Sequence, residues 1–224
     1  MRQTTYPAHE QLFFGCGLTM LAGALDAYSY LEHGAVFAGL QTGNLILLGV
    51  SLGHFQLSTV GRYLASLLAF VVGTLVVRWL QRILEKSRAN AQLIVLGYML
   101  VLLLAVLGLH HLPSYVLVAL LSLIAAAELQ EFRQVKGRPF TPLMTGDSRH
   151  IFTAVGAGLR DRSRETRATA SDTGILTLSF IGGALLVAAG TTVMADYAIL
   201  LPILLVVTLL IWLYQQTHRR KWKH

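Results

Sequence analysis

The sequence holds one cysteine, Cys16, which excludes a disulfide framework and any metal cluster built from thiolates. That residue sits in an apolar run and reads as an inert buried thiol. Charge is almost as scarce: 13% of the 224 residues are Asp, Glu, Lys or Arg, against 54% hydrophobic. With a mean hydropathy of +0.60, that balance is too apolar for a soluble domain of this size. His33, His54, His110 and His111 match no metal-ligand spacing and read as solvated loop histidines. No nucleophile elbow, phosphate loop or metalloprotease motif is present, so no enzyme and no cofactor are expected. The first apolar run has neither a strong basic start nor a small-residue cleavage site, so it does not read as a cleavable signal.

What the chain has is long apolar stretches. Six runs approach the roughly 20 residues that a bilayer crossing takes: residues 11–31, 63–80, 93–109, 115–127, 174–195 and 197–214. Two more, 35–53 and 140–159, are interrupted. The pI of about 9.9 would suit a nucleic-acid partner, but the positions of the basic residues argue for a membrane instead. If the six clean runs cross, seventeen of the eighteen Lys and Arg fall on one side and only Arg62 lies opposite. If all eight cross, the split is eleven to seven, which violates the positive-inside rule. A seven-span arrangement, in which 35–53 also crosses, scores sixteen to two, but it gives the two interrupted runs different fates. Six spans with both termini cytoplasmic is the preferred topology.

The interruptions match each other. Leu40-Gln41-Thr42-Gly43-Asn44 is answered by Leu143-Met144-Thr145-Gly146-Asp147, with Gly34, Phe37 and Gly53 answered in register by Gly137, Phe140 and Gly156. One gap further back, Asp26 aligns with Glu128. More weakly, Ala69-Phe70-Val71-Val72-Gly73 resembles Ser179-Phe180-Ile181-Gly182-Gly183. On the six-span topology the copies enter from opposite sides. The chain then reads as one all-α membrane domain, residues 1–224, built of two inverted repeats. These cover about 11–110 and 114–216, and a basic tail, 217–224, acts as a topology anchor. Interrupted segments in corresponding places of inverted halves point to a binding site near the midplane.

Two readings compete at each polar position. In the first copy, Gly43 would permit a break and Thr42 or Asn44 would cap the helix over 45–52, offering N–H groups to an anion or polar group. Against this, Gly39 and Gly43 form a G-x-x-x-G, a spacing that often only lets helices approach closely. The second copy leans further toward function, since Asp147, Arg149 and His150 cluster there. Asp26 and Glu128 carry the stronger signal, because an ionisable group inside a span costs several kcal/mol unless paired or hydrated. Two acids in one cavity could bind a cation or exchange protons; alternatively each caps a neighbouring helix or pairs with an arginine. Gln41 and Gln130 lie near them, as solute ligands or as interhelical bonds.

At Gly23-Ala24-Leu25-Asp26-Ala27-Tyr28-Ser29-Tyr30, followed by Gln41-Thr42-Gly43-Asn44, the sequence resembles the YoaK-like family of bacterial integral membrane proteins. The resemblance implies several transmembrane helices in a bacterial inner membrane and supplies no substrate or reaction. Glu128-Leu129-Gln130-Glu131 departs from the Gly-x-Gln-Asn stretch expected there, and Asp147 stands at a mostly uncharged position. The functional expectation is a small transporter or channel-like protein with lipid and a small ion or polar solute as partners. Self-association into a homo-oligomer is compatible with the same pattern. The alternatives are a non-transporting sensor or assembly subunit and, third, an intramembrane enzyme using Asp147 and His150.

Overall fold

A computed structural model describes residues 6–84, 88–139 and 164–221. The second interrupted run, with Thr145, Gly146, Asp147 and His150, lies outside the described residues.

Among the described residues, seven helices carry the fold: α1 (Leu12–Glu32), α2 (Gln41–Gly53), α3 (Leu57–Ile83), α4 (Arg88–Gly108), α5 (Ser114–Glu131), α6 (Arg164–Met194) and α7 (Leu200–Lys221). Apart from them there is a tight hairpin, Gln134–Val135 against Arg138–Pro139 (β1 and β2). Lys136 and Gly137 both take positive φ, 51° and 71°, at its tip, as a two-residue hairpin turn requires. Among the described residues, five helical stretches are long and apolar enough to cross a bilayer. The last of these, Ala168–His218, takes in α6 and α7, with a 3₁₀ turn at Ala195–Ile199 between them. The architecture is therefore that of a polytopic, all-α membrane protein.

Several helices begin before their apolar runs. α3 starts six residues ahead of residue 63, and α6 starts at Arg164, inside what hydropathy reads as a charged loop. Apolar character locates contact with lipid, whereas helix formation continues for as long as backbone bonds can be made. The early turns of α6 are held from outside. Lys136 Nζ pairs with both oxygens of Asp172, at 2.8 and 2.7 Å, and Arg138 donates to Thr169.

α1 packs along α6, α3 along α5, and α4 bridges α5 and α7, while α2 lies on α3. The core is aliphatic and aromatic, with Phe14, Leu21, Tyr28, Met99, Leu121 and Ile124 essentially out of solvent. Leu68, Val71, Leu75 and Trp79 of α3 face outward. An exposed apolar stripe of this kind belongs against lipid tails. Cys16 is free and half-buried, not fully enclosed as its apolar surroundings suggested.

Candidate functional site

The first interruption is real, but it lies upstream of Thr42-Gly43-Asn44. The chain leaves the helical region at Gly34 (φ +84°) and Ala35 (φ +58°) and re-enters at Gln41. Gly34 has no substitute: its φ is left-handed, and a Cβ there would run into the Arg62 guanidinium. Thr42, Gly43 and Asn44 are the first turns of α2, not the break before it. The expected cap therefore fails, since Leu40 occupies the N-cap with no side-chain bond. At 13 residues, α2 is roughly 20 Å long, against a hydrocarbon core of roughly 30 Å.

Two side chains do the capping from elsewhere. Asp26, on α1 and 6% exposed, accepts a 2.7 Å bond at Oδ1 from Gly39 N–H, with the Leu40 and Ala38 backbone also directed at it. A carboxylate satisfies the orphan amides at a helix start and the positive end of its dipole together. Asn44 reaches back seven residues. Its Oδ1 accepts from Phe37 N–H at 2.9 Å, and its Nδ2 donates to Phe37 O at 2.7 Å and to Ser66 Oγ at 2.9 Å. Ser66 Oγ in turn lies 2.8 Å from Ser122 Oγ of α5, and Gln41 Nε2 donates to Ala38 O. The network ties the break to α3 and α5, and every member has a partner. Of the residues singled out in this copy, Asp26, Gln41 and Asn44 are drawn together. Gly43 packs on the Phe37 and Leu40 side chains, and Thr42 points outward, apart from the network.

Glu128 is held differently. It is 1% exposed, and its Oε1 has no hydrogen-bond partner among the described residues. Its helix, α5, is in contact with α1, which carries Asp26. Gln130 belongs to a separate cluster. Its backbone and side chain receive the Arg133 guanidinium, and it exchanges bonds with Gln81 across to α3. Asp26 also borders a cavity of about 670 Å³ between α1 and α6, whose other walls are apolar or aromatic, including Ala27, Phe37, Leu40 and Ala184. A polar cavity was expected there.

Sequence reasoning missed Ser66 and Ser122; single serines within apolar runs gave the only signal, and it is a weak one. It also misassigned His33. That residue is 4% exposed, stacked edge-on against Tyr28 at 5.1 Å between ring centroids, with no hydrogen-bond partner for Nε2 among the described residues. His54, His110 and His111 are exposed, as expected. Burial pushes the His33 imidazole below its ordinary value, opposed by the Asp196 charge and a backbone bond at Glu32. The folded form therefore binds this proton less readily than the unfolded chain. The His33 contribution to stability is full above the unfolded value near 6.5 and is lost as pH falls below it. Melting curves in detergent at pH 7.5 and 5.0 are expected to differ less in His33→Gln than in the wild type. An equal pH response in both would rule out this assignment.

A family model described as a protein of unknown function (DUF1275) matches residues 14–212. The chain is also similar to the UPF0700 transmembrane protein YoaK of Bacillus subtilis (strain 168), at 37% identity over 59 residues. That match covers 26% of this chain and 26% of the relative, so it spans about a quarter of the relative's length. No solved structure matches.

Proposed function

The chain belongs to the DUF1275 family of proteins of unknown function, and from that premise we propose that it is a small transporter or channel-like protein of a bacterial plasma membrane. On this reading it is not an enzyme. It has six spans and cytoplasmic termini, and it moves a proton, small cation or polar solute past Asp26 and Glu128. The observation that carries the reading is Glu128: a buried acid whose Oε1 has no hydrogen-bond partner among the described residues, on a helix in contact with the one bearing Asp26, marks a functional position by default.

The helix packing supports an inverted repeat. Exchanging α1 with α5, α3 with α6 and α4 with α7 maps the packed pairs among these six helices onto themselves: α1–α6 becomes α5–α3, and α4–α5 becomes α7–α1. The matched glycines behave alike too. Gly34 and Gly137 both take left-handed φ, and Gly73 and Gly183 both admit a neighbouring helix at close range, α5 and α1 respectively. Asp26 and Glu128 occupy equivalent places under the same exchange.

The test is proton and cation flux in proteoliposomes. Asp26→Asn is expected to abolish pH-dependent flux while the protein stays folded. Glu128→Gln should do the same and leave the melting temperature equal or higher, because it removes an unsatisfied buried acid. Unchanged flux in both variants, or none in the wild type across protons and monovalent cations, rejects transport. A non-transporting subunit is the second reading. The closed network of Gln41, Asn44, Ser66 and Ser122 favours it, since none of its polar groups is left to meet a solute.

A further inference from the structure

A second cavity, more polar than the one beside Asp26, lies elsewhere in the molecule. It measures about 780 Å³ and opens at the end of the bundle where α3 finishes, α4 begins and the chain leaves α5. That volume lies within the range of roughly 300–1,000 Å³ usual for small-molecule sites. Its walls include Arg78, Arg82, Arg133, Gln81 and Gln92.

The acids and bases of this cavity are unequally engaged. Glu131 accepts a 2.7 Å bond from Gln81 Nε2, and Glu10 accepts from Gly137 N–H at 3.1 Å. Arg133 is braced through Nε and one terminal nitrogen by Gln130. Arg78 and Arg82, four residues apart on one face of α3, make no hydrogen bond or ion pair among the described residues. Gln92 is buried at 7% exposure, lines the cavity and also makes no side-chain bond among the described residues. The positive-inside rule accounts for the side on which these arginines fall, but not for their convergence with Gln92 on one cavity.

We propose that this cavity binds a phosphate group, received by Arg78 and Arg82 with Gln92 and the braced Arg133 completing the shell. Two guanidinium forks one helical turn apart, roughly 6 Å between Cβ atoms, suit the several oxygens of a dianion better than a single carboxylate. The phosphate is carried either by a soluble phosphorylated compound or by an anionic lipid headgroup reaching in from the bilayer edge. Neither source depends on transport.

Purified full-length protein in a neutral detergent is titrated with inorganic pyrophosphate and, separately, with dihexanoyl-phosphatidylglycerol, and the melting temperature is followed. Stabilisation by pyrophosphate assigns the soluble source; stabilisation by the lipid alone assigns the headgroup. In either case Arg78→Gln and Arg82→Gln are each expected to weaken binding about tenfold or more, as loss of a charge-assisted bond implies. Arg62→Gln removes the same charge 16 residues back along α3, roughly 24 Å away, and should bind as the wild type does. Glu128→Gln should also bind normally, which separates this site from the transport reading. No stabilisation by either probe, or equal binding by Arg78→Gln and Arg82→Gln, overturns the proposal.

Discussion

Replacing Asn44 with alanine is expected to lower the stability of the folded protein by roughly 2–5 kcal/mol, because it strands several buried groups at once. Phe37 N–H loses its partner, the Phe37 carbonyl loses the shorter of its two bonds and keeps only the one from Ser66 Oγ, and Ser66 and Gln41 each lose a bond. Water reaches Asn44 and Ser66 poorly, both being fully buried. Asn44→Asp separates geometry from chemistry. It keeps the acceptor for Phe37 N–H but turns the donor into a second carboxylate oxygen against Phe37 O, so it should be no better than alanine. Ser122→Ala, at the far end of the network, removes one bond and should cost about 1 kcal/mol. Chemical unfolding in detergent micelles ranks the three. Equal stability of Asn44→Ala and wild type would mean that the break is held by packing alone.

That ranking also marks how far the sequence could be read. An acid inside an apolar run is conspicuous wherever the chain folds, so Asp26 and Glu128 could be singled out, and both are buried, on helices that touch. That the apolar run after α1 is interrupted could be read too, but its place could not: the break was expected at Thr42-Gly43-Asn44 and lies upstream, at Gly34 and Ala35. Which residue caps which amide could not be read. Asp26 reaches the start of α2 only because α1 lies beside it, and Asn44 works backward across seven residues rather than forward into its own helix. Local rules favour Thr42 and Asn44 as caps, and tertiary contact overrides them. His33 follows the same logic: a polar residue at a helix end reads as solvated until the break folds it against Tyr28. Ser66 and Ser122 are ordinary residues in isolation and gain a role only where α3 meets α5.

The seam between α1 and α6 should be the least tolerant place in the molecule. A Cβ on Gly183 would collide with the carbonyl oxygen of Met20, and one on Gly23 would collide with that of Phe180. Both obstacles are backbone atoms, so no rotamer change relieves them, and the two helices must move apart along their length. Overpacking a core typically costs about 1–3 kcal/mol, and a fixed obstacle belongs at or above the top of that range. Gly183→Val is therefore expected to prevent recovery of folded protein, and Gly183→Ala to lower the melting temperature by many degrees. Gly182→Ala, one residue away, meets only the flexible end of Met20 at 3.6 Å. It should be neutral or slightly stabilising, since alanine favours a helix over glycine by up to about 1 kcal/mol. Because Gly23 and Gly183 share one seam, a helix pair already separated by the first alanine should accept the second at a reduced penalty. A double variant no worse than the poorer single would show this coupling in fluorescence-detected melting. Strict additivity, or wild-type melting of Gly183→Ala, would mean that the two backbones do not approach so closely.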